Sequence, residues 1–101
     1  MYTIIETEDF KMKVKKIWTE EERSMFFAHV ARNPLEGDVI PHSNGLRKIR
    51  WQALGKGKRG GARVIYFNLL DDGQVLMLDI YTKNVKENIS TKETKHLRGN
   101  V

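Results

Sequence analysis

The spacing of hydrophobic residues along this chain changes from a helical period to the alternating period of strands. Residues 2–6 (YTIIE) are rich in β-branched residues, which predicts a short first strand. Residues 8–18 place apolar side chains at helical spacing, which predicts a first helix. The apolar stripe of this helix consists of Phe10, Val14, Ile17 and Trp18.

A capping box predicts where a second helix begins, with Thr19 as the N-cap and Glu22 as the third helical residue. The helix is expected to run to about Arg32, because the residue before Pro34 is biased away from helical geometry. Its apolar stripe comprises Met25, Phe26, Phe27 and Val30. The two helices are therefore expected to form a hairpin with one apolar face.

The second half of the chain predicts strands. Residues 35–45 have the composition of a loop, and residues 46–53 then alternate between apolar and polar side chains. Residues 62–70 are apolar on both faces, as a central strand is, and residues 74–81 follow after a turn. A second capping box, Ser90 with Glu93, predicts a short closing helix.

The predicted order is β-α-α-β-β-β-α, which indicates an α+β fold. We expect a small, largely antiparallel sheet that packs on one face against the N-terminal helix hairpin, followed by a short C-terminal helix. The helices are all expected on the same face of the sheet. A length of 101 residues suits a single domain that spans residues 1–101.

Composition narrows the class of protein. A hydrophobic fraction of 40% indicates a folded chain rather than a disordered one. No run approaches the ~20 apolar residues of a membrane helix, and the acidic N-terminal segment does not resemble a secretory signal. The absence of cysteine excludes disulfides and thiolate chemistry. These features predict a cytoplasmic protein without membrane contact.

The positive charge is concentrated in the central third of the chain. Residues 39–70 contain seven basic residues and no acidic one, although the net charge of the whole chain is only +5. The seven are Arg47, Lys48, Arg50, Lys56, Lys58, Arg59 and Arg63. Such clustering favours a polyanionic partner, most often nucleic acid, over the alternative of a solvated charged face.

Residues 55–63 (GKGKRGGAR) contain the letters of a dinucleotide-binding loop, with Gly55, Gly57 and Gly60 in a G-x-G-x-x-G pattern. That loop must lead into a helix, whereas a strand follows here, so the match does not indicate a nucleotide cofactor. Two interpretations stay open. The glycines either only make the connection flexible, or they also let the backbone approach phosphates that Lys56, Lys58 and Arg59 neutralise.

Lys48 and Arg50 lie two residues apart on a predicted strand, so their side chains share one face of the sheet. Arg63 begins the next strand and is expected close to them. Three like charges tend to coexist where an anion neutralises them, and a scissile phosphate fits; the alternative is a solvated outer face of the sheet. No metal-binding histidine pattern occurs, so neither a metal nor another cofactor is predicted. Phosphodiester cleavage through the RNA 2′-hydroxyl would need neither.

Residues 37–84 resemble the HigB branch of the RelE/ParE superfamily of bacterial type II toxins. The segments that carry the resemblance are GDVI, GLRKIR, GKGKRGGARVIY and IYTKN. The resemblance implies a RelE-like fold and a ribosome-dependent mRNA endonuclease, which cuts mRNA in the ribosomal A site by metal-independent 2′-hydroxyl attack. It also implies a HigA-like helix-turn-helix antitoxin, contact with ribosomal RNA and mRNA, and contact with operator DNA only through the antitoxin.

The resemblance assigns catalytic positions to Lys48, Arg50, Arg63 and Lys83, with Tyr81 as a stacking or proton-transfer residue. Arg47, Lys56, Lys58 and Arg59 are expected to bind RNA backbone. Where RelE has an arginine after the last of these lysines, this chain has Asn84. The general acid therefore stays open among Lys83, Arg63 and Tyr81.

Two other classes of function remain as alternatives. One is an RNA- or ribosome-binding module that does not cleave, and the other is a basic docking protein for an acidic partner.

Overall fold

The computed structural model describes residues 1–52 and 61–101. Its helices and strands are β1 (Thr3–Glu6), α1 (Glu8–Val14), α2 (Glu20–Arg32), β2 (Asp38–Val39), β3 (Arg47–Trp51), β4 (Ala62–Leu69), β5 (Gln74–Thr82) and α3 (Thr91–Arg98). This order confirms the predicted α+β class. The glycine-rich segment through Gly60, with Lys56, Lys58 and Arg59, lies outside the described residues.

The described strands form one sheet in the order β1-β5-β4-β3-β2. All neighbours pair antiparallel except β1, which runs parallel to β5. The sheet is thus largely antiparallel, as predicted. The two-residue strand β2 lies in the segment predicted as a loop, and it pairs with Arg47 and Lys48 of β3.

Side-chain caps fix where the helices begin. Thr19 accepts a hydrogen bond from the backbone of Glu22, and the Glu22 carboxylate accepts one from the Thr19 backbone, so the predicted capping box is confirmed. Ser90 and Glu93 form the second predicted box at the start of α3. Among the described residues, no helix has the length and apolarity needed to cross a membrane.

Helix α1 ends four residues earlier than predicted. After Val14 the chain makes a tight turn, in which the amides of Ile17 and Trp18 both donate to the Val14 carbonyl. This turn buries the Trp18 ring against Phe26 of α2, with ring centroids 5.1 Å apart. The apolar spacing of residues 14–18 therefore reflects burial of Trp18 rather than continuation of the helix.

The sheet has a hydrophobic core on each face. The helix hairpin covers the first core, which includes Phe10, Val30 and Tyr66. Helix α3 covers the second, where Leu97 packs with Ile65 of β4. The prediction that all helices share one face is therefore wrong, because β4 and β5 are apolar on both faces and each face needs cover.

Tyr66 attaches the loop after α2 to the sheet. Its fully buried hydroxyl donates to the Pro34 carbonyl at 2.8 Å and accepts from the Gly37 amide at 2.9 Å. A Cβ atom on Gly37 would lie 2.6 Å from that hydroxyl oxygen, so only glycine fits there without displacement. The hydroxyl therefore fixes the path of the chain between α2 and β2.

We expect Tyr66→Phe to lower the free energy of unfolding by about 1–3 kcal/mol, because the buried Gly37 amide loses its hydrogen-bond partner and the Pro34 carbonyl keeps only its bond from the Asn68 amide. Urea denaturation followed by circular dichroism measures this change. Tyr2→Phe, which removes a hydroxyl from a ring at the margin of the first core, is the matched control. Equal stability of the two variants would contradict the role assigned to the Tyr66 hydroxyl.

Candidate functional site

Three polar side chains form a row across β3, β4 and β5, near one end of these strands. Arg50 of β3 lies directly opposite Arg63 of β4, and Arg63 lies directly opposite Tyr81 of β5. Residues directly opposite on neighbouring strands have Cβ atoms only about 4.5–5.5 Å apart. Strand pairing alone therefore brings together two of the predicted basic residues and the predicted tyrosine, on the face that α3 covers. We call these three residues the basic row.

Lys48 lies beside the basic row, two residues before Arg50 on the same face of β3. Its ammonium donates to the side-chain oxygen of Asn88 at 3.2 Å. The residue opposite Lys48 on β4 is Ile65, which belongs to the second core. The sequence-based expectation that Lys48, Arg50 and Arg63 share one face therefore agrees with the strand register.

Arg50 and Arg63 are like charges at directly opposed positions, an arrangement that destabilises an antiparallel pair. The conformation of Arg63 is set in part by the Gly61 carbonyl, to which its guanidinium donates at 3.2 Å. Gly61 has a φ of +74°, and a Cβ there would lie 2.3 Å from the Trp51 carbonyl oxygen. Two arginines at directly opposed strand positions are suited to binding an anion such as a phosphate.

Tyr81 is 4% exposed, and its hydroxyl makes no well-formed hydrogen bond with the described residues, although the Ile89 backbone lies close enough to act on its pKa. Burial raises the pKa of Tyr81, and the positive charge of Arg63 partly opposes that shift. The phenol is therefore protonated at neutral pH and retains a proton that it can donate.

A contact network from the C-terminal segment covers the basic row. The Lys86 ammonium lies 4.9 Å from the centre of the Tyr81 ring and forms a short ion pair with Glu93. This ion pair, and next the Ser90 backbone amide, lower the pKa of Glu93 to about 2. Sequence analysis missed Lys86 and Asn88, because both lie in an irregular segment where no period indicates which side chains turn back to the sheet.

A buried carboxylate lies on β5 two residues before Tyr81. Asp79 is 3% exposed and accepts a hydrogen bond from the Lys13 ammonium of α1 at 2.8 Å. That hydrogen bond raises the pKa of Lys13, while partial burial acts in the opposite direction. Lys13 thereby neutralises Asp79, whose negative charge would otherwise weaken anion binding at the row.

Two predicted site residues lie apart from this arrangement. The guanidinium of Arg47 donates to the carbonyls of Gly37 at 2.6 Å and Leu35 at 3.2 Å, so it holds the loop after α2. Arg47 pairs with Tyr66, whose ring belongs to the first core, whereas Lys48 next to it pairs with Ile65 of the second. Lys83 is exposed in the turn after β5 and makes no hydrogen bond or ion pair with the described residues.

The part of the chain that the structure describes contains no cluster of three histidine, aspartate or glutamate side chains suited to a metal ion. His29 instead bonds Glu36 at 2.7 Å and packs on the Trp51 ring, 4.8 Å between ring centres. The residues Asp71 and Asp72 belong to the 3₁₀ turn between β4 and β5. The basic row itself consists of two arginines and a tyrosine.

Solved structures of a bacterial toxin share this fold. The isolated E. coli toxin RelE, in a P21 crystal form, is 13% identical, with a TM-score of 0.63 over 100% of both chains. A double arginine-to-alanine mutant of E. coli toxin RelE in the free state is 15% identical, with a TM-score of 0.62 over 84% of this chain and 86% of that one. No protein-family model matches the sequence. At identities this low, the structural similarity demonstrates a common fold and no more. The RelE-like fold predicted from the sequence is thereby confirmed.

The Lys86–Glu93 ion pair gives stability a specific dependence on pH. Because folding lowers the pKa of Glu93 from its ordinary 4.5 to about 2, the carboxylate stabilises the fold above pH 4.5, and this contribution is lost as the pH falls toward 2. We expect Glu93→Gln, which keeps an oxygen to cap Ser90, to be less stable than the wild type near neutral pH. The difference should shrink as the pH approaches about 2.

Urea denaturation of both proteins over this pH range measures the effect, and every other carboxylate is common to both. A stability difference that is the same at neutral and acidic pH would contradict the assignment.

Proposed function

We propose that this protein is the toxin of a type II toxin–antitoxin system and acts as a ribosome-dependent mRNA endonuclease. The observation that carries the proposal is the basic row, in which Arg50, Arg63 and Tyr81 are directly opposed on three neighbouring strands. Lys48 lies beside the row on the same face. A cationic surface with an adjacent protonated phenol suits phosphodiester cleavage that uses the RNA 2′-hydroxyl and no metal.

In the proposed reaction the 2′-oxygen attacks the adjacent phosphorus, and the bond from phosphorus to the 5′-oxygen breaks. Lys48 accepts the proton of the 2′-hydroxyl, assisted by Arg50, which neutralises the phosphate. Arg63 stabilises the negative charge of the pentavalent phosphorane. A proton passes to the departing 5′-oxygen, so that the products are a 2′,3′-cyclic phosphate and a 5′-hydroxyl.

The proton donor is proposed to be Tyr81 or Lys83. In favour of Tyr81 are its position opposite Arg63 and its elevated pKa, caused by burial, which keeps the phenol protonated. In favour of Lys83 is its match to the lysine of the family motif, in the exposed turn directly after β5. Lys56, Lys58 and Arg59 are proposed to bind RNA backbone.

The similarity to RelE structures supports the toxin class, because both of those proteins are described as toxins. The finer proposals rest on the sequence motifs: membership of the HigB branch, a HigA-like helix-turn-helix antitoxin, cleavage in the ribosomal A site, and contact with operator DNA through the antitoxin. We propose that the protein acts in the cytoplasm, where translating ribosomes are found.

The proposal is tested in a purified translation system in which the ends of the mRNA are mapped. We expect the wild-type protein to cut within codons, and Arg63→Ala to lower the cleavage rate about 10²- to 10³-fold, the usual cost of removing one group that stabilises a transition state. Arg32→Ala, which removes an exposed arginine of α2 outside the basic row, should cleave at the wild-type rate.

Intact message in the presence of wild-type protein, or equal cleavage by wild type and Arg63→Ala, would overturn the proposal. Inhibition of translation without cut ends would favour the RNA- or ribosome-binding module. Salt-sensitive binding to an acidic protein, together with no binding to ribosomes, would favour the docking protein.

A further inference from the structure

The geometry points to Lys86 as a further phosphate-binding cation of the site, paired with Glu93 until a phosphate binds; this inference rests on the proposed function. None of the sequence motifs includes Lys86. Only the folded chain brings its ammonium over Tyr81, 4.9 Å from the ring centre.

The backbone after β5 determines where Lys86 lies. The amides of Val85 and Lys86 donate to the Thr82 carbonyl at 3.1 and 3.3 Å, which turns the chain back toward the sheet. This turn places the Lys86 side chain above Tyr81, the residue directly opposite Arg63. Arg63 and Lys86 are therefore both neighbours of Tyr81, and the flexible four-carbon stem of lysine allows the Lys86 ammonium to turn toward a phosphate bound at Arg63.

Charge around the Tyr81 hydroxyl supports the same placement. The charges of Arg63 and Glu93 both act on this hydroxyl, with opposite effects on its pKa. The ion pair of Lys86 with Glu93 and the Arg63 side chain are therefore both within electrostatic range of the Tyr81 hydroxyl. Glu93 alone would repel a phosphate bound at Arg63, and Lys86 cancels its charge while the site is empty.

A bound phosphate would compete with Glu93 for the Lys86 ammonium. The Lys86 side chain is 26% exposed and that of Glu93 43%, so both members of the pair are open to solvent. The two residues have different expected roles as a result. Lys86 adds a contact to RNA, and Glu93 limits that contact.

Binding of a short single-stranded RNA with methylated 2′-hydroxyls tests the inference, since this probe cannot be cleaved by 2′-oxygen attack. We expect Lys86→Met to weaken binding several-fold, and to make the dependence of log K on log salt shallower by about 0.7, the effect of losing one phosphate contact on a single strand. Glu93→Gln is expected to bind at least as tightly as the wild type, because it releases Lys86 and removes an anion.

Lys15→Met, at an exposed position of the turn after α1, is the control for loss of one positive charge, and it should leave the slope unchanged. Lys86→Arg should restore binding. Circular dichroism and urea denaturation show whether each variant is folded. If Lys86 only stabilises the fold through Glu93, Lys86→Met and Glu93→Gln will lower stability and RNA affinity in parallel with the slope unchanged, which would overturn the inference.

This outcome is distinguishable from failure of the proposed function. Wild-type protein that leaves mRNA intact on ribosomes, with a shallower slope for Lys86→Met, would refute the endonuclease and retain Lys86 as a phosphate contact. Wild-type cleavage with no change in slope for Lys86→Met would refute only the role of Lys86.

Discussion

The pairing of β4 with β5 contains an irregularity on which both the packing and the site depend. Ile65 pairs with Asp79, but the next residue, Tyr66, pairs with Met77, so one residue of β5 is left over at Leu78. Such a bulge reverses which residues of a strand point to each face beyond it. Before the bulge, odd-numbered Val75 and Met77 belong to the first core; after it, even-numbered Ile80 does.

The bulge is the reason that Tyr81 belongs to the site at all. In a regular strand, Tyr81 would share a face with Met77 and be buried beneath the helix hairpin. The extra residue turns it to the other face, where it lies opposite Arg63. Arg63 is meanwhile kept out of the first core by its neighbours Ala62 and Val64, which occupy that core. The bulge at Leu78 therefore places Ile80 in the first core and Tyr81 on the opposite face, beside Arg63.

Patterns of neighbouring residues were sufficient to predict the features of the fold that depend only on short-range interactions. The two capping boxes, the central strand and the shared face of Lys48 and Arg50 follow from spacing alone, because each depends on residues near in sequence. The end of α1, the face covered by α3 and the position of Tyr81 do not. They depend on which surfaces of the sheet must be buried and on a bulge in strand pairing. Neither produces a periodic pattern of residues that could be recognised in the sequence. Lys86 is a further case, since its position depends on a turn and an ion pair.

The elements around the basic row differ in how firmly the fold holds them. Arg50 and Arg63 project from paired strands with cores on both sides, so their backbone moves only if the sheet opens. The segment from Lys83 to Ser90 has no such ladder and is joined to the sheet mainly by side chains, such as Asn88 on Lys48 and Lys86 on Tyr81. Beyond it, Arg98 of α3 packs its guanidinium over the Phe67 ring. The sheet therefore supplies the positive charges whose backbone positions are fixed by strand pairing. The C-terminal segment supplies side-chain contacts to the site that a bound anion would replace. Substitutions between Lys83 and Ser90 are therefore expected to alter the contacts of the basic row more than the stability of the fold.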